Sequence, residues 1–140
     1  MVDYKELASY AVILIIVLIA AQHLNVVVSG SMEPVFYRGD IVVIEKADFL
    51  GIHEFNSSDV KVGDIVVYDA AWFNQPVIHR IIDIKDINGT TMYVIKGDNN
   101  NRTDPYYVTS NQIESRVLTW GDNPLVIPWI GHISLWLRGL

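Results

Sequence analysis

The chain has 140 residues, of which 51% are apolar and 19% charged, with a formal net charge of -6 at pH 7 and no cysteine. The length suits one small domain beside a long apolar segment, the acidic charge disfavours nucleic acid as a partner, and the lack of cysteine excludes disulfides and thiolate metal sites. The four histidines are widely spaced without a His-x-x-x-His pair, so neither a metal site nor a cofactor is predicted.

An apolar run over residues 7–24 is the first predicted element. About 18 residues at ~1.5 Å each reach ~27 Å, close to the ~30 Å hydrocarbon core of a bilayer. The run is longer than the ~7–15 apolar residues usual in a cleavable signal peptide, and no A-x-A-like site closes it. We therefore predict a retained transmembrane helix, with residues 1–25 as a membrane anchor.

The charges that flank this run predict its orientation. Lys5 and the amino terminus precede it, and no Lys or Arg follows until Arg38. The positive-inside rule counts Lys and Arg near the ends of a helix, so it favours an N-terminus on the inside. We expect a single-pass protein of the cell membrane, with residues 26–140 on the extracytoplasmic side.

The residues beyond the anchor predict short strands separated by turns. The strand candidates are rich in Val, Ile and Tyr and cover residues 26–28, 40–46, 64–69, 76–85 and 90–96. The sequence DING at residues 86–89 is typical of a hairpin turn between the last two. The pattern predicts a mainly β fold, a small all-β domain over residues 26–140.

Ser31 lies in the sequence SGSMEP at residues 29–34, almost directly after the apolar run. A serine in this position would work at the membrane surface. A serine nucleophile needs a base to take its proton and a third group to orient that base. Taken alone, Ser-Gly-Ser also suits a simple turn between an anchor and a domain.

His79 and two aspartates follow Ser31 in the chain and are the candidates for the base and the orienting acid. His79 lies in an apolar predicted strand, which would hold its imidazole rigidly. Asp98 and Asp104 lie in the polar loop after the last predicted strand. Spacing does not rank the two aspartates, and a strand histidine or an Asn- and Asp-rich loop can also be purely structural.

In this order, the motifs resemble the conserved boxes of the type I signal peptidases. The boxes are SGSMEP at residues 29–34, RGD at 38–40, GDIVV at 63–67, HR at 79–80 and KGDNN at 96–100, within a resemblance that covers roughly residues 7–133. They are similar to the branch found in archaea, the endoplasmic reticulum and some spore-forming bacteria. In that branch, histidine stands where the common bacterial enzymes have a catalytic lysine.

The resemblance implies a membrane-bound serine endopeptidase that needs no cofactor and removes N-terminal signal peptides from secreted preproteins. It implies Ser31 as the nucleophile, His79 as the general base and Asp104 as the acid that orients His79. Asp98 would be a second important carboxylate, and the hydroxyl of Ser29 would help to hold the oxyanion. The implied partners are the lipid bilayer, the protein-export channel and preproteins with small residues first and third before the cut.

Two other functions are compatible with parts of the sequence. A self-cleaving regulator resembling the cytosolic repressor peptidases would share the β fold, but those proteins use lysine as the base and lack an anchor. A non-catalytic membrane-tethered β module, or a subunit of a larger complex, would need Ser31 only for structure. Cleavage of a preprotein, lost with Ser31→Ala, separates an enzyme from such a module.

The apolar segment at residues 125–137 is interrupted by Pro128 and Gly131. It is too short and too interrupted to span a bilayer. Two interpretations stay open. The segment, with Trp129 and Trp136, lies at the membrane interface, or it forms a final core strand and a helical turn.

Overall fold

The computed structural model describes residues 1, 3–128 and 130–140, and it contains one long apolar helix followed by a β domain of antiparallel strands. The expected fold class, a small β domain after one N-terminal helix, is confirmed. Trp129, named above as an interface residue, lies outside the described residues.

Helix α1 spans Tyr4–Gln22, and none of its residues is buried against the β domain. Its 19 residues are long and apolar enough to cross a bilayer. The helix begins and ends earlier than the run predicted over residues 7–24. It begins earlier because the carboxylate of Asp3 accepts a hydrogen bond from the backbone N–H of Lys5. It ends earlier because Leu24 pairs with Val43 in a strand.

Nine strands follow within the described residues. They are β1 Leu24–Val26, β2 Ile41–Lys46, β3 Ile65–Tyr68, β4 Val77–Ile87, β5 Thr90–Lys96, β6 Ile113–Val117, β7 Thr119–Trp120, β8 Asn123–Pro124 and β9 Val126–Ile127. The main sheet has the order β1-β2-β6-β3-β4-β5, with β9 also paired to β2, and β7 and β8 form a separate small ribbon. β2 to β5 coincide closely with four of the predicted strands. The strand predicted over residues 26–28 begins and ends two residues earlier, at Leu24 and Val26.

The β4–β5 hairpin closes with the two-residue turn Asn88-Gly89. Both residues have positive φ values, 53° and 81°. A type I′ turn requires this backbone conformation, which Asn and Gly adopt at little steric cost. The turn fixes the register in which Ile87 faces Thr90, so β4 and β5 pair along most of their length.

Strand β6 lies between β2 and β3, although the sequence predicted no strand there. Its sequence IESRV alternates buried and more exposed residues, with a buried Ser115 where an apolar residue would be expected. Arg116 faces Glu45 across the ladder, and its Nε lies 2.6 Å from the Glu45 carboxylate. The polar residues between Ile113 and Val117 interrupt the apolar pattern, so the sequence did not predict this central strand, whose more exposed face carries a cross-strand ion pair.

Two hydrophobic clusters form the core of the β domain. Along β3 and β4, neighbouring residues alternate between the clusters, with Val66 and Val77 in one and Ile65 and Ile78 at the other. Met32, fully buried, belongs to the second cluster. The segment that carries Ser31 is therefore anchored in the second cluster through Met32. His79 lies on the face of β4 that packs against the first cluster.

The C-terminal segment forms β9 and a short helix, α2, over Gly131–Leu137. β9 pairs with β2, and Leu135 is buried, with 2% of its surface exposed. Trp136 and Leu137 are exposed. The segment is thus a final strand and helical turn, with apolar side chains on its outer face.

Candidate active site

Ser31 and His79 are 48 residues apart in the chain and are in hydrogen-bond contact in the fold. The distance between Ser31 Oγ and His79 Nε2 is 3.0 Å. His79 is 5% exposed and sits on β4 between Val77 and Ile81, whose side chains belong to the first hydrophobic cluster. The imidazole is therefore fixed by packing, with one nitrogen directed at the serine hydroxyl.

The loop at residues 97–104 is hydrogen-bonded to the segment that carries Ser31. The backbone N–H of Asn99 donates to the Ser31 carbonyl at 2.8 Å, and the Asn99 side-chain amide donates to the Gly30 carbonyl at 3.0 Å. The backbone N–H of Asp98 points at the sulfur of the buried Met32, at 3.4 Å. These contacts explain why the serine and the KGDNN motif lie together although they are distant in sequence.

Asp104 contacts the other nitrogen of the imidazole. His79 Nδ1 lies 2.9 Å from Asp104 Oδ1 and 2.8 Å from Oδ2, and the two side chains are 6% and 4% exposed. An ionised carboxylate only accepts hydrogen bonds, so Nδ1 carries the hydrogen and Nε2 presents its lone pair to Ser31. The arrangement can transfer a proton from the serine hydroxyl to the imidazole.

Asp98 does not contact His79 and instead pairs with Arg80. Its carboxylate accepts hydrogen bonds from Arg80 Nε at 2.9 Å and Nη2 at 2.8 Å, while Arg80 Nη1 donates to the Gly63 carbonyl at 2.8 Å. The hydrogen bonds that Arg80 donates to Asp98, with the negative charge of Asp98, raise the pKa of Arg80 against the opposing effect of burial. The two aspartates, which spacing alone did not rank, thus have different partners.

Ser29 lies beside the candidate nucleophile. Its Oγ is 3.1 Å from Ser31 Oγ and 3.5 Å from the Ser31 backbone nitrogen. A hydroxyl and a backbone N–H are therefore available within one turn, the two kinds of donor that an oxyanion requires.

Gly97 is a further site residue that the sequence presented only as part of a motif. A Cβ at this position would lie 2.6 Å from Asn100 Nδ2, 2.7 Å from the Ser31 carbonyl oxygen and 3.0 Å from His79 Nε2. No side chain fits between the loop, the serine segment and the imidazole, so a glycine is needed where the three meet.

Tyr68 and Trp72 are also near the site, and sequence reasoning did not select them. The Tyr68 hydroxyl donates to Asp104 Oδ2 at 2.6 Å, and Trp72 Nε1 donates to the Tyr68 hydroxyl at 3.3 Å. The only sequence feature that could have indicated Tyr68 is its place at the end of the GDIVV strand, and a tyrosine there is typical of any β-strand.

An open cavity of about 470 Å³ lies against Ser31 and His79. Its apolar wall includes Val26, Val28, Val67, Trp72, Phe73 and Ile78. A second cavity, of about 570 Å³, is lined by residues such as Tyr37 and His132 and contains neither Ser31 nor His79. Within the described part of the chain, no group of three or more His, Asp or Glu side chains could hold a metal ion.

Comparison with known proteins places these residues in context. The family model described as signal peptidase, peptidase S26, matches residues 2–102. The chain is 34% identical to an uncharacterised protein of Methanocaldococcus jannaschii, over 89% of this chain and 88% of that protein. It is 32% identical to the signal peptidase complex catalytic subunit SEC11 of Lachancea thermotolerans, over 80% of this chain and 64% of that protein. It is also 32% identical to SEC11C of Canis lupus familiaris, over 79% of this chain and 54% of that protein. The chain therefore spans less than two thirds of these two SEC11 proteins.

Proposed function

Because this chain belongs to the signal peptidase family S26, we propose that it is a membrane-anchored serine endopeptidase that removes N-terminal signal peptides from secreted preproteins. The observation that carries the proposal is the 3.0 Å contact between Ser31 Oγ and His79 Nε2, with Asp104 on the opposite nitrogen. Nucleophile, base and orienting acid are in the mutual geometry that a serine protease uses.

The proposed reaction begins with attack of Ser31 Oγ on the scissile carbonyl carbon as His79 Nε2 takes the hydroxyl proton. The tetrahedral intermediate collapses to an acyl-enzyme, and His79 gives its proton to the departing amine of the mature protein. Water then attacks the ester, again losing a proton to His79. The bond to Ser31 Oγ breaks as His79 returns this proton to Oγ, and the signal peptide leaves as a carboxylic acid. Asp104 holds the imidazole in the required tautomer throughout.

The oxyanion in this reaction is held by the backbone N–H of Ser31 and the hydroxyl of Ser29. In the free protein these two donors lie together, with the Ser31 nitrogen 3.5 Å from Ser29 Oγ. A substrate oxygen that enters between them would accept both hydrogen bonds. Such donors stabilise charge that develops only in the transition state.

The proposed substrates carry small residues first and third before the cut. The apolar cavity beside Ser31 supports this proposal, because alternate side chains of an extended peptide point the same way and would meet the same wall. Val26 and Val28 line the cavity only a few residues after α1 ends at Gln22. A signal peptide bound at Ser31 would therefore lie close to the bilayer surface, where the apolar segment of that signal peptide leaves the membrane.

We propose that residues 1–25 are the membrane anchor and residues 26–140 the peptidase domain. The length and apolar character of Tyr4–Gln22, with no residue buried, support insertion in a bilayer. The absence of Lys and Arg between Lys5 and Arg38 supports a cell-membrane protein with the domain outside. The protein-export channel, which delivers preproteins to that side, is the proposed partner.

The test is cleavage of a preprotein by the purified full-length chain in detergent or liposomes. The wild type is expected to release mature protein of the correct mass, and Ser31→Ala to release none. Ser29→Ala should retain activity lowered by about 10²–10³, the usual effect of removing one oxyanion donor. Ser9→Ala, an exposed serine in α1, is the matched control. No product from the wild type would leave a non-catalytic module, and full activity in Ser31→Ala would remove Ser31 as the nucleophile.

A further inference from the structure

Two aromatic residues extend the line of hydrogen bonds behind Asp104. The Tyr68 hydroxyl is 2.6 Å from Asp104 Oδ2, and Trp72 Nε1 is 3.3 Å from the Tyr68 hydroxyl. We propose that Tyr68, oriented by Trp72, is a positioning residue that fixes the Asp104 carboxylate against His79. The proposal rests on the peptidase function proposed above and extends it to residues that do not touch the substrate's reacting atoms.

The direction of each hydrogen bond follows from the donors available. The indole N–H of Trp72 can only donate, so the Tyr68 oxygen accepts from it. An ionised Asp104 can only accept, so the Tyr68 hydrogen is directed at the carboxylate. Burial, followed by the hydrogen bond to Asp104, raises the pKa of Tyr68, so the hydroxyl keeps its proton whenever a protease of this kind works.

Asp104 needs this support because it lies on a loop. Its backbone N–H donates to the Ile95 carbonyl at 2.8 Å, and its carboxylate is held by side chains from two adjacent strands. Tyr68 on β3 faces Val77 on β4, two residues before His79. The same carboxylate oxygen, Oδ2, accepts from Tyr68 at 2.6 Å and from His79 at 2.8 Å. A carboxylate that turned away from the imidazole would therefore have to lose both bonds.

No other charged group in the described residues shares this contact. Besides His79 and Asp104, the ionisable groups on the surrounding elements are Tyr68 on β3, Arg80, Asp83, Lys85 and Asp86 on β4, Tyr93 and Lys96 on β5, Asp98 and Arg102 in the loop, and Glu33 and Arg38 after the serine segment. Arg80 and Asp98 bind each other. Tyr68 is accordingly the group whose removal changes the hydrogen bonding of the His79–Asp104 pair most directly.

The main test compares Tyr68→Phe with Tyr93→Phe in the full-length chain. Both tyrosines are buried in the same cluster, with 0% and 1% exposed, but among the described residues the Tyr93 hydroxyl has only a 3.4 Å contact with the Ser58 carbonyl as a hydrogen bond. Without the Tyr68 hydroxyl, more negative charge on Asp104 faces His79 and favours the protonated imidazole. The acid limb of the kcat/KM profile should move up by about half a pH unit or more, and kcat should fall roughly tenfold. Tyr93→Phe should change neither.

A second variant and a second measurement keep the inference open to refutation if Tyr68→Phe melts below the assay temperature. Trp72→Phe should move the acid limb in the same direction by a smaller amount, because the Tyr68 hydroxyl loses its orienting donor. In ¹⁵N-labelled protein, the Nδ1–H resonance of His79 should change in both variants and stay constant in Tyr93→Phe. This measurement does not depend on enzymatic activity.

The outcomes separate the inference from the function on which it rests. An acid limb and a His79 resonance that stay in place in Tyr68→Phe and Trp72→Phe would overturn the positioning role. If the wild type still cleaved and Ser31→Ala did not, the proposed function would stand. A wild type without activity would refute the peptidase function. A His79 resonance that still differed between that wild type and Tyr68→Phe would nevertheless support the positioning role of Tyr68.

Discussion

His79 and Arg80 are consecutive residues of β4 that point to opposite faces of the sheet, and each binds an aspartate from the same loop. His79 takes Asp104 on the inner side, where both side chains are about 5% exposed, and Arg80 takes Asp98 on the outer side, where 28% and 20% of the side chains are exposed. An imidazole changes its charge near neutral pH, whereas a guanidinium stays charged. The inner pair can therefore move a proton, while the outer pair can only hold the loop in place.

The largest expected effect comes from the inner pair. Asp104→Asn keeps the size of the side chain but allows the amide to impose the wrong tautomer on His79, so kcat should fall by as much as ~10⁴. Preprotein cleavage measures kcat, and thermal melting measures the stability of the fold. The melting temperature should change little although the activity is lost. If Asp98→Asn proves the more inactive variant and melts like the wild type, the roles of the two aspartates are exchanged.

A second effect is expected where the inner and outer pairs meet. Gly97→Ala would place a methyl group 2.7 Å from the Ser31 carbonyl and 3.0 Å from His79 Nε2. A displacement of about 1 Å between nucleophile and base costs roughly 10²-fold in rate. Single-turnover cleavage with Tm as the stability control checks the expectation. Wild-type rates in Gly97→Ala would mean that the loop yields without disturbing Ser31 and His79.

The inner pair should also set the pH dependence. A base must be neutral to accept a proton. Cleavage should therefore rise with pH on the acid side and level off once the imidazole is neutral, because the proton must first leave the base. The raised pKa of Arg80 keeps its guanidinium charged throughout, so Arg80 adds nothing to this profile. A rise that occurred only above pH ~9 would indicate a lysine-like base instead.

The smallest effect on activity is expected from the outer pair. Asp98→Asn removes a two-point hydrogen-bonded ion pair, so Tm should fall by a few degrees and activity by less than about tenfold. Glu45→Gln is the matched control, because Glu45 forms a similarly exposed ion pair with Arg116 on β2 and β6. It should lower Tm without lowering activity. A loss of activity as large in Glu45→Gln would mean that stability alone explains both variants.

The fold was predictable where the local pattern was strong. The apolar run gave the helix, and β2 to β5 follow segments rich in Val, Ile and Tyr. β6 escaped prediction because Glu114, Ser115 and Arg116 interrupt the apolar pattern, and the carboxylate that pairs with Arg116 lies on another strand, β2. The start of β1 at Leu24 escaped because only pairing with β2 distinguishes it from the end of an apolar helix.

Residue types and the order of the motifs were enough to predict Ser31, His79 and the two aspartates as candidate site residues. This prediction depends only on the chemical types of the residues and on their order along the chain, and the sequence contains both. The family resemblance favoured Asp104 over Asp98, which spacing alone did not rank. Only the tertiary structure gives the contact of Asp104 with the imidazole, the position of Tyr68 behind it and the lack of room for a side chain at Gly97. The physical reason is that side chains alternate across a strand and a loop can fold to either face. Distances between residues 25 or 48 positions apart are therefore set by strand pairing and packing, which no local pattern contains.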